Sequence, residues 1–360
     1  MKKIFLSLLI TVIIFSFTNK LVAQGCVAIR NTGGLCTMQH PNETSDKWLF
    51  GVNNRYYKSY KHFIGTDEQK QRQQLGTEVI NHAYTMDLSL TRILNKRWSV
   101  AIDVPVEANS RSSLYEHNNV GRFSTHSFGV GDMRFAVYSW FCDPAKFHRG
   151  NVQVGLGIKF ATGDYKYQDY FHTSDTSKIL GPVDQSIQLG DGGTGFTTEI
   201  NAYYNFSRVI SVYGNFYYLI NPREQNGVST SRGGIPSALT IAIGSDVMSV
   251  PDQYMIRGGA TFNADNWMFS AGIRDECLPV HDLIGGSQGF RRPGYIISAE
   301  PGVTYKFKKV TAYTYVPVAI VRNRTQSVPD KNRTALTSVY AHGDAAFADY
   351  AINIGLAVKF

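Results

Sequence analysis

This 360-residue chain has four cysteines, twelve prolines and no cluster of Lys or Arg, and only 18% of its residues are charged. Each shortage excludes something. The cysteines, Cys26, Cys36, Cys142 and Cys277, lack the spacing of a zinc site, so no metal and no cofactor is expected. After residue 23 no stretch nears the roughly eighteen apolar residues of a helical membrane span. The net charge of +8 falls to +5 once Lys2, Lys3 and Lys20 are set aside, and the remaining cations are dispersed, so nucleic acid is not an expected partner. Low charge beside 43% hydrophobic and 13% aromatic residues excludes a disordered chain.

The first residues, MKKIFLSLLITVIIFSF, place two lysines before an apolar run, and Leu21-Val22-Ala23 offers a small residue at a cut. This is the pattern of a secretory signal over 1–23, with Gln24 as the mature start. A lipoprotein reading would need an aliphatic residue three positions before Cys26, where Ala23 stands. Residues 24–47 then read as a periplasmic segment. Cys26 and Cys36 lie ten apart in an oxidising compartment, which makes a local disulfide plausible.

The last residues, FADYAINIGLAVKF, alternate strictly. Tyr350, Ile352, Ile354, Leu356, Val358 and Phe360 form an apolar row, and Asp349, Ala351, Asn353, Gly355, Ala357 and Lys359 a small or polar one. Side chains on a strand point to opposite faces with period two, so this is a strand with one greasy face and one wet face. The pattern recurs at 48–63, 79–92, 97–108, 127–141, 151–162, 195–206, 209–221, 252–263, 266–275, 294–307 and 310–322, which makes twelve expected strands. Links alternate without exception between short (NKR, CDPAKFHRG, SR, AD, KK) and long (64–78, 109–126, 163–194, 222–251, 276–293, 323–346). An up-and-down outer-membrane β-barrel over 48–360 explains this asymmetry, with tight periplasmic turns and long outer loops; a soluble sandwich does not. Both termini are then periplasmic.

In such a barrel the apolar rows face lipid and the others face the lumen. Trp48, Trp98 and Tyr295 suit the interfacial girdles. The inward rows carry Arg55, Arg134, Lys159, Arg257, Arg274, Lys306 and Lys359 against Asp87, Asp103, Glu107, Asp132, Glu199, Glu300 and Asp349, seven of each sign. A balanced lumen can pair internally and knit the barrel shut, or leave a polar path for solutes. Twelve strands lie between the side-chain-filled barrels of about eight and the open channels of about sixteen. Arg291, Arg292, His342 and Asp344 are candidates for polarity at the outer mouth, or for loop packing. QLGDGGTG (188–195) lacks the Gly-Lys-Ser/Thr end of a phosphate loop and leads into a strand. His126 and His342 lie at the rim, but no nucleophile and base pattern accompanies them, so no enzyme is expected.

GDMRFAVYSWF, NVQVGLGIKFATGDY, DQSIQLGDGG, SVPDQYMIRGGATF and DLIGGSQGFRRPGY together resemble the outer-membrane proteins grouped with the meta-pathway of phenol degradation, which are distantly akin to fatty-acid channels. The style of Gln24-Gly25-Cys26 resembles Bacteroidetes secreted proteins, and Phe360 resembles the terminal aromatic read by the barrel-assembly machinery. The resemblance implies passage of small, hydrophobic or aromatic molecules through the outer-membrane lipid of a Gram-negative cell. The expectation is a passive channel for small solutes; the rival is a closed barrel whose outer loops do the work.

Overall fold

The structure, a computed structural model, describes residues 47–360. Cys26, Cys36 and the expected signal lie outside them. Fourteen strands build the wall: β1 (Trp48–Ile64), β2 (Ile80–Ile93), β3 (Trp98–Ser113), β4 (Phe123–Val130), β5 (Arg134–Trp140), β6 (Gly150–Lys159), β7 (Gly195–Asn205), β8 (Ile210–Ile220), β9 (Gln253–Ala264), β10 (Trp267–Leu278), β11 (Gly294–Lys306), β12 (Val310–Tyr315), β13 (Val318–Arg324) and β14 (Ala345–Lys359). β4 and β5 share one wall position, pairing with the upper and lower parts of β3. β12 and β13 share another, beside β11. Every pairing is antiparallel, and β14 closes on β1, so the wall is a twelve-position barrel. Two of the twelve expected strands are therefore broken. The expected strand 127–141 is interrupted at 131–133 and starts earlier, at Phe123; the expected strand 310–322 is interrupted at Val316 and Pro317.

The outward rows are what a membrane requires. Phe50, Ile102, Phe135, Leu156, Ile200, Phe262, Phe269 and Leu356 are all exposed. In water this band would cost about 25 cal/mol per Å² of apolar surface; in lipid it costs nothing. At the short-turn rim Trp267, Tyr305 and Phe307 pack edge to face, with centroids 4.6 and 4.7 Å apart. At the long-loop rim Tyr218 stacks on Tyr254, with Tyr295 beside them. Such amphipathic rings favour the two membrane–water boundaries.

The long links have structure of their own. Hairpin 168–182, strands Gln225–Ser229 and Val247–Ser249, and helix Val328–Thr337 all belong to them. The 163–194 link turns inward: Val183, Ile187 and Leu189 are buried, and Ser127 donates to the Ile187 carbonyl at 2.5 Å. Its return needs two glycines. A Cβ on Gly163 would overlap the Leu189 carbonyl, and one on Gly190 would overlap the Asp132 carboxylate. The TGDY and QLGDGG motifs thus meet each other.

Candidate functional site

The inward rows carry a connected band of charge. Arg55 on β1 reaches across the lumen to Glu276 on β10, which is not its neighbour in the wall, at 2.9 Å. Arg274 holds Glu276 at 2.9 Å and Glu300 at 3.1 Å, and Arg257 approaches Glu300 at 3.5 Å. Arg257 Nε donates to Asn215, whose amide donates to Asn201, whose amide donates to Gln153. On the other side Arg134 pairs with Asp103 at 2.7 Å and with Glu199, and Lys159 pairs with Asp132 at 3.2 Å and with Asp191. Glu107 accepts from Asn109, and Asp87 stands opposite Asn53 in the β1–β2 ladder. Arg55, Arg134 and Arg257 each lie over an inward tyrosine, Tyr57, Tyr217 and Tyr315. All these charged groups are buried except Asp191, which is half-buried. Burying a charge is costly unless it is paired, so the band is a cross-brace and does not line a water path with loose charges.

Three expected positions need restating. Lys306 stands at the short-turn rim beside His148, Arg149 and Arg208, around an open vestibule of about 550 Å³. Lys359 also lies at that end, opposite Leu49 at the foot of the β1–β14 ladder. Asp349 is not on the lumen row. The β1–β14 register slips between Tyr57 and Lys61, and a slip changes the face a side chain takes; Asp349 sits in the wall instead, bound by Lys61 at 2.9 Å, Arg322 at 2.5 Å and the Tyr60 hydroxyl at 3.0 Å. Glu276 was missed because the expected strand ended at 275, one residue short.

The outer-mouth candidates are fasteners. Arg291 makes a two-pronged pair with Asp282 at 2.6 and 2.7 Å, and Arg292 does the same with Asp184 at 2.6 and 2.8 Å. Burial raises the Asp184 carboxyl, but Arg111 and Arg292 outweigh it and hold that carboxyl well below the usual carboxylate range. The first pair braces the 276–293 link within itself, and the second ties it to the 163–194 link, so that the two form a lid. His342 binds the Arg324 carbonyl at 2.7 Å. Asp344 binds His62 and Arg72, at 2.9 and 2.8 Å. Burial pushes Asp344 up, and the His62 hydrogen bond and the Arg72 guanidinium pull it down further, to about 2.

The wall is weak in two places among the described residues: β4 has a ladder to β3 alone, and β14 is loosely held on one side. β1 and β14 stay in register from Leu49 with Lys359 to Phe63 with Ala345, apart from the slip. On its other side β14 pairs with β12 from Val310 to Tyr315, but with β13 at one point only, Val318 opposite Tyr350. Pro317 stands at the break, with no N–H to give and its carbonyl taken by Ala351. Higher up, the chain after β1 crosses over and exchanges two 2.8 Å backbone hydrogen bonds between Gly65 and Arg324 of β13. Between these two sills is a window in the ladder. One side chain spans it: Arg322 Nε donates to the Ala348 carbonyl at 3.0 Å while its other nitrogen holds Asp349. Behind the window is a cavity of about 40 Å³ lined by Pro317, Ala319, Ala348, Tyr350, Ala351 and Ile296, with Arg55 and Glu276 at its inner end. Ile296 also packs on Phe63, Phe347 and Ala345, so apolar contact runs from beneath the outer rim to the window.

No family model and no curated protein matches the sequence. Solved structures do. An outer-membrane channel from Pseudomonas putida F1 superposes with a TM-score of 0.59 at 10% identity, over 92% of this chain and all of that one. This chain has the fold of an outer-membrane β-barrel. A fatty-acid-channel homologue of Pseudomonas aeruginosa (TM-score 0.45, 9% identity, 94% and 99% covered) and a toluene transporter of Ralstonia pickettii (0.42, 11%, 94% and 97%) are more distant likenesses.

Proposed function

We propose that this barrel is a passive channel of the Gram-negative outer membrane for small hydrophobic solutes, oriented with its long loops outward, and that the solute leaves sideways through the β13–β14 window. The observation that carries this is the coincidence of the window, the apolar lining behind it and the charged cross-brace beneath it. A hydrophobic solute moving straight down would have to displace buried ion pairs, whereas the window offers it an apolar exit into lipid. The cavity of about 40 Å³ holds little more than a water, and a benzene-sized guest needs roughly 150 Å³, so the window must open for passage. The names of the compared proteins, an outer-membrane channel and a toluene transporter, agree with this reading. Hydrolytic chemistry has no support from His126, which is exposed and held only by Asp169 at 3.7 Å.

A disulfide across the window tests it. Val318 and Tyr350 are direct partners, a spacing that suits a disulfide. With the native cysteines replaced by Ser, oxidised Val318→Cys/Tyr350→Cys should stop uptake of a hydrophobic probe such as toluene into proteoliposomes, and reduction should restore it. An oxidised Val52→Cys/Leu356→Cys pair in the β1–β14 ladder should not. Full uptake through the locked window would refute the lateral route. A folded protein that never admits the probe would favour the closed barrel.

A further inference from the structure

The ladders fix which side chains share a height on the membrane face. Lys58 on β1 is opposite His82 on β2, His82 opposite Ser110 on β3, and Ser110 opposite His126 on β4. Two residues nearer the membrane centre the same strands give Tyr56, Tyr84, Ala108 and Phe128, and two further Asn54, Met86, Val106 and Val130. The face thus passes from largely apolar to aromatic to polar, with one exposed lysine, within three rows at the rim of the long loops. Rings at that boundary mark headgroup depth, so the row of Lys58 and His82 meets the headgroups themselves.

The pieces are oriented. Tyr56 stacks on His82, with centroids 6.2 Å apart, and its hydroxyl lies 2.7 Å from Nδ1. When that hydroxyl donates, the imidazole proton is on Nε2, which is left as a donor. Lys58 is exposed, lies 4.9 Å from the Tyr60 ring and has no carboxylate within ion-pair distance among the described residues. The nearby cations are already engaged: Lys61 with Asp349, and Arg122 with Glu78 at 3.3 Å. Two acids bound the row: Asp169 beside His126 at its far end, and Asp349, already held by Lys61 and Arg322, in the β14 bulge opposite Lys58.

We infer that Lys58, His82 and Ser110 form a binding site for the phosphate of an outer-leaflet glycolipid, with the acyl chains lying on Tyr84, Met86 and Phe128. A lysine ammonium and an imidazole N–H are donors that a phosphate accepts, and an exposed cation near an anionic leaflet contributes about a fivefold gain in affinity. This rests on the outward orientation of the long loops proposed above. It does not rest on transport, because the site faces lipid on β1–β3, although Lys58 lies on the ring of Tyr60, whose hydroxyl binds Asp349 at the window.

The test uses the whole barrel in detergent, with lipid A as the probe and native mass spectrometry as the readout. Phosphorylated lipid A should be retained about tenfold more than the same lipid after phosphatase treatment. Lys58→Gln should cut retention about fivefold, and His82→Phe, which keeps the ring stack, about threefold. Lys96→Gln, at the opposite rim, should change nothing. Equal retention of the dephosphorylated lipid, equal retention by Lys58→Gln, or equal retention of phosphatidylglycerol, a generic anionic surface, would each overturn the proposal. Toluene uptake by His82→Phe, whose strand does not border β14, should stay at the wild-type rate, so failure here is separable from failure of the channel.

Discussion

The two sides of β14 are joined to the barrel by different means. Toward β1 the joint is backbone: a ladder from Leu49 to Phe63 in which each partner supplies amides and carbonyls that the membrane would otherwise leave unmet. Toward β13 the joint is a single pair, a crossover at Gly65, and the Arg322 side chain standing in for the missing rungs. Opening the first would strand many backbone groups in hydrocarbon at several kcal/mol each. Opening the second exposes few, and two of its sealing charges, Lys61 and Asp349, are already part-solvated. A strand can therefore be joined permanently on one side and reversibly on the other, provided the second joint is closed by side chains.

Removing the fastener should break the contrast most. Asp349→Ala leaves Arg322, Lys61 and Tyr60 without their common acceptor. Losing a hydrogen-bonded charge costs about 3 kcal/mol at the upper end, or roughly a hundredfold in an opening equilibrium. Amide hydrogen exchange in 346–349 and in 319–322 should rise accordingly, and toluene uptake with it, while exchange at 351–358 stays slow. Uniform acceleration along β14 would mean that the two joints are equivalent after all.

Acid sharpens the comparison at its upper end. Asp344, just before β14, binds His62 near the top of β1 and Arg72 in the following link, and its carboxyl is held down to about 2. A depressed carboxyl adds stability that is complete above its unfolded pKa, about 3.9, and is lost as pH falls through the folded value. The tie is worth about 2 kcal/mol by that linkage. The top of the β1–β14 joint should therefore hold at pH 5 and loosen between about pH 4 and pH 2, read as rising hydrogen exchange at 62–65. Asp344→Asn should remove that pH dependence.

Much of this was legible in the sequence, for a physical reason. Alternation reports which face each residue takes, and link lengths report the two ends of the barrel, so the twelve wall positions could be read directly. The window could not, although Pro317 was a signal: a proline inside a strand pattern marks an edge or a break, yet the alternation of 310–322 continues through it. Asp349 was assigned to the lumen because alternation assumes an unbroken register, and the register slips between Tyr57 and Lys61. The mouth arginines could be placed in loops but not partnered, since Arg292 and Asp184 are 108 residues apart. Periodicity carries local direction; it carries no information on which distant charges meet.

The smallest expected effect concerns the lid, which is closed in yet another way. His117 is buried between Phe123, Phe171 and His172, and its Nδ1 accepts the backbone N–H of His172 at 3.0 Å, joining the 109–126 link to hairpin 168–182. Burial lowers its pKa; Glu116 and Asp169 act against this, and His172 and Arg232 act with it. A proton on Nδ1 would remove the acceptor that His172 uses. The unfolded loop therefore takes up a proton more readily than the folded one, so this contact stabilises the lid at neutral pH and weakens as pH falls below about 6.5. One hydrogen bond is worth about 1 kcal/mol, a few-fold rise in protease cutting of hairpin 168–182 between pH 7.5 and 5.5. His117→Phe, which keeps the ring packing but has no group to titrate, should flatten that profile. At pH 5.5 the β13–β14 window should be unchanged, because the charges that close it, Arg322, Lys61 and Asp349, include no histidine.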